Sequence, residues 1–174
     1  LQVTQQCRPE DLEAVRNRYA SHDIPAELGT YFEDMAARLA GAHLFMGRAG
    51  ASTLAELTAV GRPAILVPLP IATDDHQTAN TREIVASGGA RSIRQEKFTA
   101  KELAKQIQAL AQNPQALGNA AHAAWNCGRP NATRDLADLV ESFGGAPLMD
   151  VIRIGGDEAP VASGDAALAR DAAR

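Results

Sequence analysis

Residues 45–56 read Phe45-Met-Gly-Arg-Ala-Gly-Ala-Ser-Thr-Leu-Ala-Glu56, and the parsing of this stretch decides the fold. An apolar run, His43–Gly47, enters a turn of small residues. Ala51–Val60 then has helical character until Gly61-Arg62-Pro63 stops it. Directly afterwards comes Ala64–Leu69 (AILVPL), apolar at successive positions as a strand buried on both faces would be. Two strands joined through a helix in this way lie parallel, and repetition of the unit builds a sheet with helices on both sides.

The same alternation extends outward. Upstream, Leu1–Gln6 alternates as a strand, and Pro9 suits a helix start with Leu12, Val15 and Tyr19 following at helical spacing. Ala26–Tyr31 is a further strand and Met35–Ala40 a short helix. Downstream, a helix from Asp75 to Ala86 ends at Ser87-Gly88-Gly89, and Ala90–Ile93 is the fifth strand. Thr99 and Glu102 form a capping box for the next helix. Asn113-Pro114 opens another that runs to Cys127, and Asn131 starts the last, with Leu136, Leu139, Val140 and Phe143 on one face. The expected fold is α/β, a Rossmann-like parallel sheet flanked by helices, in one domain over residues 1–143. Residues 144–174, rich in Asp, Ala, Gly and Pro without sustained periodicity, are expected to be a disordered tail.

Composition narrows the partners. With 174 residues the chain can bury a core without a disulfide or metal staple. A net charge of −4 and a pI near 5.5 argue against nucleic acid. Cys7 and Cys127 fit no ligand spacing and point to a reducing setting. The most apolar stretch, Ala64–Ala72, is interrupted by Pro68 and Pro70 and is far short of the roughly 20 residues that span a bilayer. Leu1–Gln6 does not read as a signal peptide, and the missing initiator Met leads us to expect a piece of a longer chain.

In a parallel sheet, Gly47–Thr53 falls at the carboxyl edge of a strand, where such folds bind ligands. Gly50, Ala51 and Ser52 offer backbone N–H groups at a helix start, and with the helix dipole these suit a phosphate or diphosphate without a metal. Glu56, one turn on, is placed to accept hydrogen bonds from both hydroxyls of a ribose. The same residues also fit a ligand-free reading, because Thr53-x-x-Glu56 has the spacing of a capping box. Arg48 is either a phosphate contact or a solvated charge. The turn lacks both the GxGxxG and the GxxxxGK[ST] patterns. After the second strand, Thr73, Asp74 or Asp75 can cap a helix from which His76, Gln77 and Asn80 project as hydroxyl readers, or simply as polar surface. Consecutive Asp74-Asp75-His76 cannot converge on one metal from a helix.

Three segments carry a resemblance: Gly47-Arg-Ala-Gly-Ala-Ser-Thr-Leu-Ala-Glu56, Gly61-Arg-Pro-Ala-Ile-Leu-Val-Pro-Leu-Pro70 and Asp75-His-Gln-Thr-Ala-Asn80. In this order and at these separations they resemble the C-terminal half of the MurG family, GT-B glycosyltransferases of peptidoglycan synthesis, over about residues 1–143. Phe32-Glu-Asp-Met35 resembles the segment preceding the first motif. The resemblance implies transfer of N-acetylglucosamine, with inversion, from UDP-N-acetylglucosamine to lipid I, giving lipid II. It implies no cofactor beyond that donor substrate, and peripheral association with the cytoplasmic side of the bacterial inner membrane. Carried over, Glu56 would bind the ribose, and the backbone of Ala51, Ser52 and Thr53 would face the diphosphate. His76 and Gln77 would meet the N-acetylglucosamine, and the backbone of Phe32 the uracil. Many family members have Gln where this chain has His76.

The family's N-terminal domain, which binds the lipid acceptor and carries the proposed base and membrane-facing patch, has no counterpart in these residues. Neither has the first strand of its C-terminal domain, expected between the Leu1–Gln6 and His43–Gly47 strands. The isolated chain is therefore expected to be inactive in transfer. Two other readings share the same pocket: a non-catalytic nucleotide-sugar-binding subunit that needs a separate acceptor partner, and a related GT-B enzyme such as a UDP-N-acetylglucosamine 2-epimerase.

Overall fold

The structure is a computed structural model describing residues 1–70 and 76–144. Its order is β1 (Val3–Gln6), α1 (Leu12–Ala20), β2 (Ala26–Gly29), α2 (Met35–Gly41), β3 (Phe45–Gly47), α3 (Ala51–Ala59), β4 (Ala64–Leu66) and α4 (His76–Ala86). Then follow β5 (Ala90–Ser92), α5 (Ala100–Ala111), α6 (Pro114–Asn126) and α7 (Ala132–Gly144), with 3-10 turns at Pro9–Asp11 and Gln95–Lys97. Each expected strand and helix among the described residues is present, with strands one to three residues shorter than read. Proline sets one boundary: Pro68 has no N–H for a ladder, so β4 ends before it. The expected caps from Thr73, Asp74 or Asp75 and the expected tail lie outside the described residues.

Among the described residues all pairing is parallel, as expected, but the strands form two sheets rather than one. β1 pairs with β2, and β3–β4–β5 pair in that order. The division falls between β1 and β3, where the resemblance placed a further strand.

β4 organises the core. Its three residues are buried, and pleating sends Ala64 and Leu66 to one face and Ile65 to the other. Ala64 and Leu66 join a cluster with Leu39, Leu57, Ile84 and Ala124, while Ile65 packs with Ile93 and Leu110. Leu103 and Ile107, on one face of α5, close that second cluster. The alanine-rich α6 packs with its backbone unusually close to its neighbours. A Cβ on Gly89 would stand 2.7 Å from the backbone of Ala124, and Gly61 turns with φ +61° beside Trp125. Only glycine, with no Cβ, satisfies both positions.

The helix starts show which capping readings hold. The Oγ1 of Thr99 accepts from the Glu102 N–H at 3.2 Å, while the Glu102 carboxylate accepts from Gln106 Nε2 at 2.7 Å, so the box is half formed. Asn113 Oδ1 accepts from the Ala116 N–H at 3.0 Å. The chain divides into two units, with the boundary after Pro130, and α7 is the described part of the second.

Candidate functional site

Because β3, β4 and β5 are parallel, their carboxyl ends, Gly47, Leu66 and Ser92, lie on one edge of the sheet. The loops leaving this edge are tied to one another. The Val67 N–H donates to Gly47 O at 2.8 Å, and the Ile93 N–H to Leu66 O at 2.9 Å. Arg48 Nη1 donates to Val67 O at 3.1 Å and to Gln95 Oε1 at 2.6 Å. Arg48, read as a phosphate contact or a solvated charge, is thus seen bracing the β3 exit against the β4 exit and the Gln95 turn.

α3 begins beside this brace. Its N-cap residue is Gly50, which supplies no side-chain cap, and Leu54 makes the first helical hydrogen bond, to Gly50 O at 3.0 Å. Ala51, Ser52 and Thr53 are therefore the first three helical residues, whose N–H groups have no partner within a helix. This position removes the capping-box reading of Thr53 and Glu56. Thr53 lies inside the helix and cannot be its N-cap, so Glu56 sits too far along to serve a box. Glu56 is exposed, and among the described residues its carboxylate makes no hydrogen bond or ion pair. Gly50 has an ordinary extended backbone (φ −66°), and an added Cβ would meet only Thr53 Oγ1, at 3.7 Å. Neither backbone strain nor packing requires glycine there.

α4 supplies the facing groups. Gln77 Oε1 accepts from the Leu69 N–H at 2.9 Å, which fixes the amide and directs its remaining donors elsewhere. Asn80 Nδ2 donates to Ala49 O at 3.3 Å, so Asn80 holds the turn preceding α3. Asn80 is thereby a support of the edge. His76 is the first residue of α4 and is exposed. The structure brings Arg48, Ala51, Ser52, Thr53, Glu56, Gln77 and Asn80 to elements that meet at one sheet edge.

Phe32 stands in a second cluster, in the turn that leaves β2. An added Cβ on Gly29 would be 2.9 Å from two carbons of its ring, and Arg38 Cζ lies 4.1 Å from the ring centroid. Arg38 also donates to Glu27 through Nη1 (2.8 Å) and Nη2 (2.9 Å), and to Asp34 through Nε (2.6 Å). These hydrogen bonds hold the carboxyls of Glu27 and Asp34 below their ordinary range, and the two carboxylates in turn raise the Arg38 guanidinium. Sequence reading missed Arg38. Its one local signal was the i,i+4 pairing of Asp34 with Arg38, whereas the partner Glu27 lies on another element.

Among the described residues no three His, Cys, Asp or Glu side chains are grouped to hold a metal, and no helix is long and apolar enough to cross a membrane.

Comparison with known proteins matches this architecture to a family. Residues 1–140 match the family described as glycosyltransferase family 28 C-terminal domain. A protein of Erythrobacter litoralis named UDP-N-acetylglucosamine--N-acetylmuramyl-(pentapeptide) pyrophosphoryl-undecaprenol N-acetylglucosamine transferase is 76% identical over the whole chain, which covers 44% of it. A protein of the same name from Novosphingobium aromaticivorans is 82% identical over 88% of the chain and 40% of its own length. The chain thus spans less than half of the curated relatives it matches. The crystal structure of Acinetobacter baumannii MurG superposes with a TM-score of 0.73 at 35% identity, over 82% of this chain and 41% of that one. The glycosyltransferase VinC, solved with dTDP, shares the fold alone, at a TM-score of 0.57 and 16% identity over 83% of this chain and 42% of that one. The chain belongs to the C-terminal domain family of glycosyltransferase family 28, with the parallel, helix-flanked architecture of a GT-B enzyme.

Proposed function

We propose that this chain is the donor-binding part of a glycosyltransferase that moves N-acetylglucosamine from UDP-N-acetylglucosamine to lipid I, forming lipid II. The donor domain comprises residues 1–143. The diphosphate lies against the N–H groups of Ala51, Ser52 and Thr53, and the Glu56 carboxylate accepts from the ribose hydroxyls. His76 and Gln77 meet the sugar, and the backbone of Phe32 meets the uracil. The observation that carries this reading is the start of α3: a helix N-terminus with no side-chain cap, followed by a carboxylate with no protein partner among the described residues. A site meant for an anion leaves those donors open. The name shared by the Erythrobacter and Novosphingobium relatives supports the choice of donor and acceptor. Activity and peripheral association with the inner membrane's cytoplasmic face belong to the whole protein.

The test is Glu56→Gln. A hydrogen bond to a charged group contributes about 1.5–3 kcal/mol, so UDP affinity should fall about 10- to 150-fold. The thermal midpoint should stay put, since the carboxylate supports nothing in the fold. Unchanged UDP affinity by calorimetry would remove Glu56 from the ribose site. A fall in thermal midpoint alone would return it to a structural role.

A further inference from the structure

The turn after β2 is held in an unusual way. Gly29 O accepts from the Cys7 N–H at 2.9 Å, and Thr30 O accepts from Gln6 Nε2 at 3.0 Å, which ties the start of the turn to the end of β1. Beyond that point, among the described residues, Tyr31 and Phe32 make no main-chain hydrogen bond. Their backbone donors and acceptors are open, yet the segment is not left to itself. The guanidinium of Arg38 reaches back from α2, with its side chain only 24% exposed, and fastens three things at once. It grips the Glu27 carboxylate in a two-pronged pairing, bonds the Asp34 carboxylate at the far end of the turn, and covers the Phe32 ring. The other support of the ring is Gly29, whose missing side chain makes room for it.

A planar guanidinium can do this because its N–H groups form a rigid fork that meets a carboxylate with two parallel bonds while its face lies on an aromatic ring. Lysine offers one compact charge and cannot hold all three partners in one geometry. The result is a turn in which the Phe32 ring and the Asp34 carboxylate are pinned while the peptide groups of Tyr31 and Phe32 stay unpaired. Such a peptide unit presents one donor and one acceptor in fixed register. Uracil offers the complement, an N3–H donor beside the O4 acceptor, whereas cytosine presents the reverse, an N3 acceptor beside an N4 donor. Discrimination between them depends on the peptide being held still, since a mobile peptide can reorient to suit either.

We propose that Arg38 is a positioning residue that sets the nucleobase selectivity of the site by clamping the Gly29–Asp34 turn through Glu27, Asp34 and the Phe32 ring. This rests on the reading above, in which the backbone of Phe32 meets the uracil. In this role Arg38 acts through the turn and not by contact with the nucleotide.

The experiment is calorimetric titration of the chain and of its Arg38→Met and Arg38→Lys variants with UDP, CDP and inorganic pyrophosphate, with thermal midpoints measured alongside. The parent should prefer UDP to CDP. In Arg38→Met the UDP affinity should fall about tenfold, a loss on the scale of one charge-assisted interaction. CDP and pyrophosphate affinities should change little, so that the preference collapses. Arg38→Lys should retain part of the preference, and it decides the matter where the Met variant does not fold. A variant that melts earlier but keeps the parent's ratio of UDP to CDP affinity overturns the proposal, leaving Arg38 a purely structural residue and the uracil reading intact. An equal loss for all three ligands overturns it as well. A parent that binds UDP and CDP alike defeats the uracil reading itself, before any variant is considered.

Discussion

The two sheets of this chain are held together by different forces. Around β3–β4–β5, cohesion comes from apolar burial: Leu57, Ile65 and Leu66 are each 0% exposed, and two clusters cover the two faces of β4. Around β1–β2, no residue before Leu39 is buried; β1 alternates between half-buried and exposed positions, and β2 exposes Glu27 between half-buried neighbours. That region relies on directed polar contacts instead: Tyr19 to Gln5 at 2.7 Å, Gln6 to Thr30, and Arg38 to Glu27 and Asp34. Apolar burial is non-directional and scales with area. Hydrogen bonds contribute little net stability each but specify geometry. The first sheet is thus the less stable part and the more precisely shaped one, which suits a region proposed to read a base.

The sharpest way to break this contrast is truncation at matched chemistry. Leu57→Ala should cost about 2–5 kcal/mol, as a fully buried leucine does. Leu28→Ala, at a half-buried position on β2, should cost about 1 kcal/mol. Native-state hydrogen exchange supplies the same comparison without mutation. The amides of Ile65 and Leu66 should open only with global unfolding, and those of Thr4–Gln6 through a smaller local event. Equal denaturant midpoints for the two variants, with equal protection of the two sheets, would show that the chain unfolds as one unit.

A smaller effect is expected where α6 meets the second sheet. Gly89→Ala places a methyl 2.7 Å from the Ala124 backbone, which cannot step aside as a flexible side chain would. Overpacking of this kind costs about 1–3 kcal/mol. Gly118→Ala, on the same helix with nothing within 4 Å of an added Cβ, should be neutral or stabilising, since alanine favours a helix by about 1 kcal/mol over glycine. Chemical denaturation of the pair tests whether close backbone approach is what requires the glycine.

The smallest effect concerns pH and falls on the first sheet. Glu27 and Asp34 have carboxyls lowered in the folded state, chiefly by hydrogen bonds from Arg38. A group lowered on folding stabilises the fold above its unfolded pKa, and that contribution is lost as pH falls through the depressed folded value. Acidification below the ordinary carboxylate range should therefore loosen the turn around Phe32, while Arg38→Met should flatten that dependence. Both carboxylates are solvent-accessible, so the effect is modest and screened by salt. Phe32 side-chain resonances followed against pH in the parent and the variant would show it, and identical profiles would detach the turn from the ion pairs.

Among the described residues, the strands, the helices and their parallel arrangement were legible from residues 45–56 outward, because hydrophobic periodicity and Gly or Pro punctuation are local quantities. The caps at Thr99 and Asn113 were legible for the same reason. The identities at the sheet edge were also readable: Ala51, Ser52, Thr53 and Glu56 follow a strand, and Gln77 and Asn80 open a helix. What spacing could not decide was where α3 begins, since Gly50 carries no side chain to announce an N-cap and Thr53 mimics one three residues later. Tertiary structure settled that, and with it the choice between a capping pair and an open helix start. It alone turned Arg48 onto Val67 and Gln95, and Asn80 onto Ala49. It alone brought Glu27, on another element, to the Arg38 that Asp34 already pairs at i,i+4, and divided the strands between two sheets. Those outcomes depend on partners distant in sequence or on which strand edges meet, and such pairings are set when the whole chain packs, not by the pattern of any one segment.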